Sequence, residues 1–455
     1  MNKFPIRGVI EGFYGRPWNH KDRLNMIEFL GNLKMNTYVY APKDDPYHRH
    51  EWRTPYPSEH TKNFSSLLEA GAKHNVSLIW ALSPGLSMIY SSATDYSLLQ
   101  NKYKAMKSMG FTNFGLFFDD IPLQLVHQED RKTFNSLAEA QAIVANNIYM
   151  SLKEDANDIH LFFCPTEYMG IGNSEYLQIL GDKLHPEIEV FWTGPQVCSE
   201  KLDLNNAKTV ATSLNRQIIF WDNYPVNDAS MQPELHIGPY INRDHSLLHY
   251  SKGILLNPMD LVESSKIALY AASKFLNTPD TYEPESSWIE AIENLVGPKL
   301  APSFIRFARA NSISCLEPAE PRYLQVALKS FEDSLAVMDW AGALIDASIF
   351  FKQLESDLPF LYDLPSSLLE EIKPWLDEYK AWISIALNAL TILIEFRDLN
   401  QAGAGLKVKE TREAVRKGLI NAVDFKTSCC GDVIRNFAQK VYRSTSYFLA
   451  NTPWS

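Results

Sequence analysis

Short apolar runs alternate with longer amphipathic stretches along the first 260 or so residues. The apolar runs are "GVIEGFYG" (8–15), "NTYVYAP" (36–42), "SLIWALSP" (77–84), "NFGLFFDD" (113–120), "HLFFCPTEY" (160–168), "EVFWTGPQV" (189–197), "QIIFWDNYP" (217–225) and "GILLNP" (253–258). Most are rich in β-branched or aromatic residues and stop at Gly, Pro or Asp, as buried strands do. Helical patterns such as "KDRLNMIEFLGNLK" and "NSLAEAQAIVANNIYMSLK" separate most of them, and only the gap from Val226 to Tyr250 reads as loop. Eight near-continuous apolar strands, each followed by a connection, predict an α/β fold, a (β/α)8 TIM-like barrel. A doubly wound open sheet would carry a glycine-rich phosphate loop after an early strand, and "GFYGRPW" lacks that G-x-G-x-x-G spacing.

After about Pro302 the strand signals end and helical stretches follow at 321–357, 365–399 and 409–446. Leu324, Leu328, Phe331, Leu335 and Met338 recur at steps of four and three, one stripe of a packed helix. The pattern predicts a catalytic barrel over 1–300 and an all-α helical bundle over 301–455.

Composition narrows the function classes. The chain carries 54 acidic against 43 basic side chains, a net charge of −11, which argues against nucleic acid or an anionic membrane as partner. Five scattered cysteines, ending in the vicinal pair Cys429 and Cys430, form neither a disulfide framework nor a C-x-x-C zinc motif. The N-terminus "MNKFPIRGVIEG" has no apolar h-region, which predicts no signal peptide and a cytoplasmic, reducing location. "AWISIALNALTILIEF" is short for a bilayer span and is interrupted by polar residues, so it reads as a buried helix.

In such a barrel the strand C-termini form the active face. Here those ends carry Gly12 and Tyr14; Lys43, Asp44 and Asp45; Asp119 and Asp120; Thr166, Glu167 and Tyr168; Trp192 and Gln196; Trp221, Asp222, Asn223 and Asp228; and Asn257. Aromatic floors ringed by amides, carboxylates and an ammonium suit a sugar, whose faces stack and whose edge demands hydrogen bonds. Adjacent carboxylates raise one another's proton affinity, so one of Asp119 and Asp120 is expected to stay protonated while the other ionises, the acid–base pairing a glycosidase needs. The bland alternative is that the two merely cap the following helix. His48 and His50 in "PYHRHEW" offer an H-x-H spacing, but later strand ends supply no further His, so they read as loop surface residues, with no metal and no cofactor.

Six segments, in order, carry a resemblance: "GVIEGFYGRPW", "NTYVYAPKDDPYHR", "FFDDIP", "FCPTEY", "FWTGPQV" and "WDNYPVND". They resemble the motifs of family 84 glycoside hydrolases, the β-N-acetylglucosaminidases that include O-GlcNAcases and enzymes once called hyaluronidases. The match covers the whole predicted barrel; beyond about Asn311 no motif is matched. The resemblance implies a retaining exo-β-N-acetylglucosaminidase whose substrate supplies its own nucleophile, the 2-acetamido oxygen, through an oxazoline. Its substrate would be a β-linked N-acetylglucosamine glycoside: a glycoprotein bearing O-GlcNAc on Ser/Thr, a glycopeptide or an amino-sugar oligosaccharide. By position, Asp119 would hold the acetamido N–H and Asp120 would be general acid and then base. Gly12, Lys43, Asn223, Asp228 and Asn257 would line the sugar subsite. Tyr168 would bond the acetamido oxygen, Cys164 and Trp221 would wall its methyl pocket, and Val197 would sit near the leaving group. A sugar-binding module on a catalytically dead barrel is the main competitor, and the intact Asp119–Asp120 pair argues against it, because binding alone needs no protonatable acid.

Overall fold

The computed structural model describes residues 3–154, 158–397 and 404–451. Eight parallel strands close into a barrel in sequence order: β1 (Ile6–Glu11), β2 (Thr37–Tyr40), β3 (Ser77–Leu82), β4 (Asn113–Phe117), β5 (His160–Cys164), β6 (Glu189–Trp192), β7 (Ile218–Asp222) and β8 (Ser251–Leu256), with β8 pairing back onto β1. Each strand falls on one of the eight apolar runs, and each ends two to five residues before its run does. The polar tails of those runs are therefore loop.

Helices α1 (His20–Asn32), α2 (Ser58–His74), α3 (Ala93–Ser108), α4 (Gln128–Thr133), α5 (Leu137–Lys153), α6 (Glu175–Lys183) and α7 (Leu204–Ser213) fill the first six crossovers. Most begin at a polar cap: the side chains of Asn19, Ser92, Ser136, Ser174 and Asp203 each accept the backbone N–H three residues on, satisfying a donor that the first turn leaves open. The β7–β8 connection holds only two short 3-10 turns, Ala229–Met231 and His245–His249, in keeping with its loop-like composition.

The barrel interior is packed. Ile10, Val39, Ile79, Ala81, Phe117, Phe162, Cys164, Phe191, Ile219, Trp221 and Leu255 form one buried cluster. Side chains alternate along a strand, so the residues two steps beyond this inner set also point to the barrel axis. That parity places Gly12, Lys43, Asp119, Thr193, Asn223 and Asn257 over the filled core.

The chain divides into two compact units: Met1–Ala229, Tyr240–Ser265 and Leu269–Ser287 form one, and Ser230–Pro239, Lys266–Ala268 and Trp288–Ser455 the other. The second is helical. Its α11 (Arg322–Ala336), α12 (Trp340–Leu361), α13 (Ser366–Arg397), α14 (Ala404–Asn421) and α15 (Val433–Asn451) follow α8 (Val262–Asn277), α9 (Pro284–Val296) and α10 (Ala301–Ala310) in the chain. Two of the predicted helices are each broken in two. The first parts at Met338, whose left-handed backbone (φ 61°) ends the helical run. The predicted stripe therefore holds for Leu324, Leu328 and Phe331, while Leu335 is half-buried and Met338 is 81% exposed. The third parts around the "SCCG" turn, where Cys430 and Gly431 both take positive φ. Helix α13 is long and apolar enough to cross a bilayer by length and composition; in the helical unit it packs against α12, α14 and α15 and buries Tyr379, Trp382, Ile383, Ala386 and Leu390.

Candidate active site

A cavity of about 250 Å³ opens at the C-terminal ends of the strands. It is lined by all eleven residues singled out in the sequence: Gly12, Lys43, Asp119, Asp120, Cys164, Tyr168, Val197, Trp221, Asn223, Asp228 and Asn257. Tyr14, Thr193, Cys198, Val226 and Ala229 complete the wall.

Trp221, at the end of β7, lies low in the pocket beside Cys164 from β5, and both belong to the buried barrel cluster. Gly12 is required by this floor: a Cβ there would drive into the six-membered ring of Trp221. A belt of hydrogen bonds then ties four loops together. Gly12 N donates to Asn257 Oδ1 (3.2 Å), Asn257 Nδ2 to Asn223 Oδ1 (2.9 Å), and Asn223 Nδ2 to the Val197 carbonyl (2.7 Å). Opposite them, Asp228 Oδ2 accepts the Tyr14 N–H (2.8 Å), and burial raises its pKa.

The two aspartates are brought to one pocket by different means. Asp119 continues the inward parity of Phe117. Asp120 would point away by strict alternation, but its backbone turns left-handed (φ 55°) and its carboxylate joins the pocket. Lys43 ion-pairs with Asp119 Oδ2, and its Nζ lies 3.9 Å from Asp120 Oδ2 and 5.3 Å from the Trp221 ring centroid. Asp44 and Asp45 are engaged elsewhere: Asp44 accepts the Gly15 N–H (3.0 Å), and Asp45 accepts the hydroxyls of Tyr40 (2.7 Å) and Tyr56 (2.9 Å). The second oxygen of Asp119, Oδ1, is buried with no hydrogen-bond partner among the described residues. A buried acceptor in that condition is costly unless a ligand supplies the donor.

Asp120 accepts Tyr14 Oη on Oδ2 and Tyr168 Oη on Oδ1, both at 2.6 Å. Burial opposes its ionisation. The Lys43 charge, the two tyrosine hydroxyls and Arg49 outweigh that, and hold its pKa below the ordinary carboxylate value. Lys43, beside both carboxylates, works against the mutual repulsion expected from their adjacency in the chain. The same burial and the bonds to Asp120 push the Tyr14 and Tyr168 hydroxyls upward, so both remain donors.

The histidine reading also needs correction. His48 is fully buried rather than on the surface, its Nδ1 2.9 Å from the Ala81 carbonyl, and burial holds its pKa down at about 4. Only His50 is exposed. Among the described residues no group of three or more His, Cys, Asp or Glu side chains is placed to hold a metal ion. Sequence reasoning gave no role to two residues near Asp120: Tyr14, named only among the strand-end residues, and Arg49, the last residue of the segment "NTYVYAPKDDPYHR".

Carboxylates converging on the C-terminal mouth of a parallel barrel define a barrel enzyme of the carboxylate-pair class. Comparison with known proteins carries this further. A β-N-acetylglucosaminidase family model matches residues 7–309. Protein O-GlcNAcase of Rattus norvegicus and that of Mus musculus are each 38% identical to this chain over 269 residues, 58% of this chain and 29% of theirs. The chain thus spans under a third of the length of the curated relatives it matches. Among solved structures, an Asp-to-Asn mutant of Thermobaculum terrenum O-GlcNAc hydrolase superposes with a TM-score of 0.94 at 41% identity, over 98% of this chain and 95% of that one. CpGH84B superposes with a TM-score of 0.86 at 27% identity, over 96% and 77%. The chain belongs to the β-N-acetylglucosaminidase family, family 84 of the glycoside hydrolases.

Proposed function

We propose that the chain hydrolyses terminal β-linked N-acetylglucosamine with retention, removing O-GlcNAc from Ser and Thr of proteins, and that the substrate's acetamido oxygen is the nucleophile. The observation that carries this reading is the unpartnered Asp119 Oδ1 beside the Lys43 ion pair. An acetamide N–H supplies the donor that oxygen lacks, and a carboxylate there stabilises the positive charge that grows on the acetamide as its oxygen attacks C1. Tyr168 turns its hydroxyl to the acetamido oxygen, and the acetyl methyl lies between Cys164 and Trp221. Gly12, Lys43, Asn223, Asp228 and Asn257 hold the ring, and Val197 borders the departing group.

The proton follows a closed path. Protonated Asp120 gives its proton to the glycosidic oxygen as the C1–O bond breaks and the acetamido oxygen bonds C1, forming the oxazolinium ion, whose N–H stays on nitrogen and is held by the Asp119 carboxylate. Ionised Asp120 then takes a proton from water as the water oxygen attacks C1, which reopens the ring and restores the acid.

The test uses aryl β-N-acetylglucosaminides whose acetyl methyl is successively fluorinated. Fluorine withdraws electron density from the attacking oxygen, so kcat/KM is expected to fall steeply from acetyl to trifluoroacetyl. A flat series with a glycosyl ester trapped on either aspartate would leave a glycosidase with a protein nucleophile. No turnover of any aryl glycoside would reject the activity itself.

A further inference from the structure

Arg49 is almost wholly buried, yet among the described residues no carboxylate lies in direct ion-pair range of its guanidinium. Burying an unpaired cation is expensive, and its contacts show what the charge serves. Nη1 donates to Tyr14 Oη at 2.7 Å, and Tyr14 Oη in turn donates to Asp120 Oδ2 at 2.6 Å. Nη2 makes a long contact of 3.4 Å to the Asp120 carbonyl, at the residue with the left-handed backbone. The guanidinium also lies 5.5 Å from the Tyr14 ring centroid. One arm of the fork reaches Asp120 through the Tyr14 hydroxyl and the other contacts its carbonyl directly.

The loop that carries Arg49 is itself pinned. Lys102 Nζ donates to the carbonyls of Tyr47 (2.7 Å), Trp52 (2.8 Å) and Thr54 (2.8 Å), and His48 is tied to β3 through Ala81.

We propose that Arg49 is a positioning residue for the acid/base: by occupying the acceptor face of the Tyr14 hydroxyl and holding the Asp120 carbonyl, it makes Tyr14 a fixed donor that aims the Asp120 carboxylate into the pocket. The proposal rests on the reading of Asp120 as acid and base. It divides the two tyrosines by duty. Among the described residues no cation clamps Tyr168 in this way, so its hydroxyl can turn to an arriving acetamide, whereas Tyr14 stays on Asp120 throughout. Substrate thereby removes one of two donors that favour the ionised carboxylate and raises its proton affinity as the acid is needed.

The groups facing Asp120 set the sign of the test. Lys43 from the β2 loop and Arg49 favour the carboxylate, as do the hydroxyls of Tyr14 and Tyr168. Asp119 from the β4 end and Asp228 from the β7–β8 connection oppose it as like charges, and Cys164 beneath is held in its neutral form by burial. Removing Arg49 therefore raises the proton affinity of Asp120 in the free enzyme. The alkaline limb of kcat/KM, where the acid loses its proton, moves to higher pH.

The experiment measures pH profiles and leaving-group dependence for Arg49→Met, Arg49→Lys, Tyr14→Phe and the Met/Phe double variant. In Arg49→Met the alkaline limb is expected to rise by roughly half a unit or more. Its kcat/KM should fall about tenfold on a peptide glycoside and only about twofold on a nitrophenyl glycoside. Tyr14→Phe, at an exposed position, should shift the limb the same way. The double variant should match the worse single rather than the product of both, and Arg49→Lys should recover part of the shift. Multiplying effects, or an unmoved limb with equal loss on both substrates in folded protein, would overturn the positioning role. Asp120→Asn serves as the separate control: if it shows no leaving-group dependence, the acid/base reading fails independently of Arg49.

Discussion

Asp119 in the barrel unit and Asp357 in the helical unit are both buried carboxylates that meet a cation, yet they are completed differently. Asp357 uses both oxygens: Oδ1 accepts Ser303 Oγ (2.9 Å), Arg306 Nη2 (2.6 Å) and Gln353 Nε2 (3.1 Å), and Oδ2 accepts Arg306 Nε (2.5 Å). Asp119 meets Lys43 with one oxygen and leaves the other empty-handed. A carboxylate whose lone pairs are all met within the chain fixes the fold. One left half met, at the wall of a cavity, keeps a place for a ligand. Glu378 repeats the first pattern, accepting from Trp382 (2.9 Å), Thr427 (2.7 Å) and the Cys429 N–H (3.0 Å).

Asp120 stands between these extremes, since both its oxygens are met by hydroxyls, of which that of Tyr168 can turn to a substrate. Asp120→Asn is expected to lower kcat/KM by about 10²–10⁴ on a peptide glycoside, to cost far less on a nitrophenyl sugar, and to lose the alkaline limb of the pH profile. Equal loss on both substrates would show that Asp120 is not the acid. Because the two carboxylates share Lys43, the limbs of the wild-type profile describe the pair and not one residue.

Asp119→Asn sharpens the contrast with Asp357. Removing one electrostatic partner of the transition state is expected to cost about 10²–10³ in kcat even with an excellent leaving group, with little change in thermal midpoint. A large midpoint shift would instead place Asp119 with Asp357 as part of the scaffold. Conversely, Asp357→Ala strands the Arg306 guanidinium and should destabilise the fold by about 3 kcal/mol in chemical unfolding, with KM of the folded fraction unchanged. Altered KM at unchanged stability would erase the distinction.

The smallest effect tests the floor. Gly12→Ala adds one methyl against Trp221, and displacing that ring should raise KM roughly tenfold by an overpacking cost of about 1–3 kcal/mol, with kcat changed less. An unchanged KM would mean that the indole yields freely.

The barrel was legible in eight apolar runs with polar tails, and the two-residue strand period seen in the structure carries on into those tails. Counting from the inward residues of the strands reaches Gly12, Lys43, Asp119, Asn223 and Asn257, so the polar tails of the apolar runs mark the pocket before any folding is known. Arg49 and Tyr14 escaped for opposite reasons. Arg49 lies on a long loop after β2 that keeps no strand period, and its meaning depends on contacts 35 and 71 residues away. Tyr14 kept the period, but as an aromatic it read as part of a floor, while its hydroxyl reaches Asp120. The sign of the Asp120 shift was equally out of reach, since spacing along the chain gives the repulsion between neighbouring carboxylates and not the position of Lys43 beside both. In the helical unit the apolar stripe held over Leu324, Leu328 and Phe331, but periodicity alone could not find the breaks at Met338 and at Cys430.

The left-handed backbone at Asp120 has an evolutionary corollary. That conformation admits Gly readily and Asn or Asp tolerably, while most other side chains meet steric conflict there. Of the three, only Asp can pass a proton. A drift from Asp to Asn therefore keeps the turn, the pocket and the two tyrosine neighbours while abolishing proton transfer. One substitution at this turn would therefore separate a sugar-binding barrel from a proton-transferring one, with no remodelling of the strands.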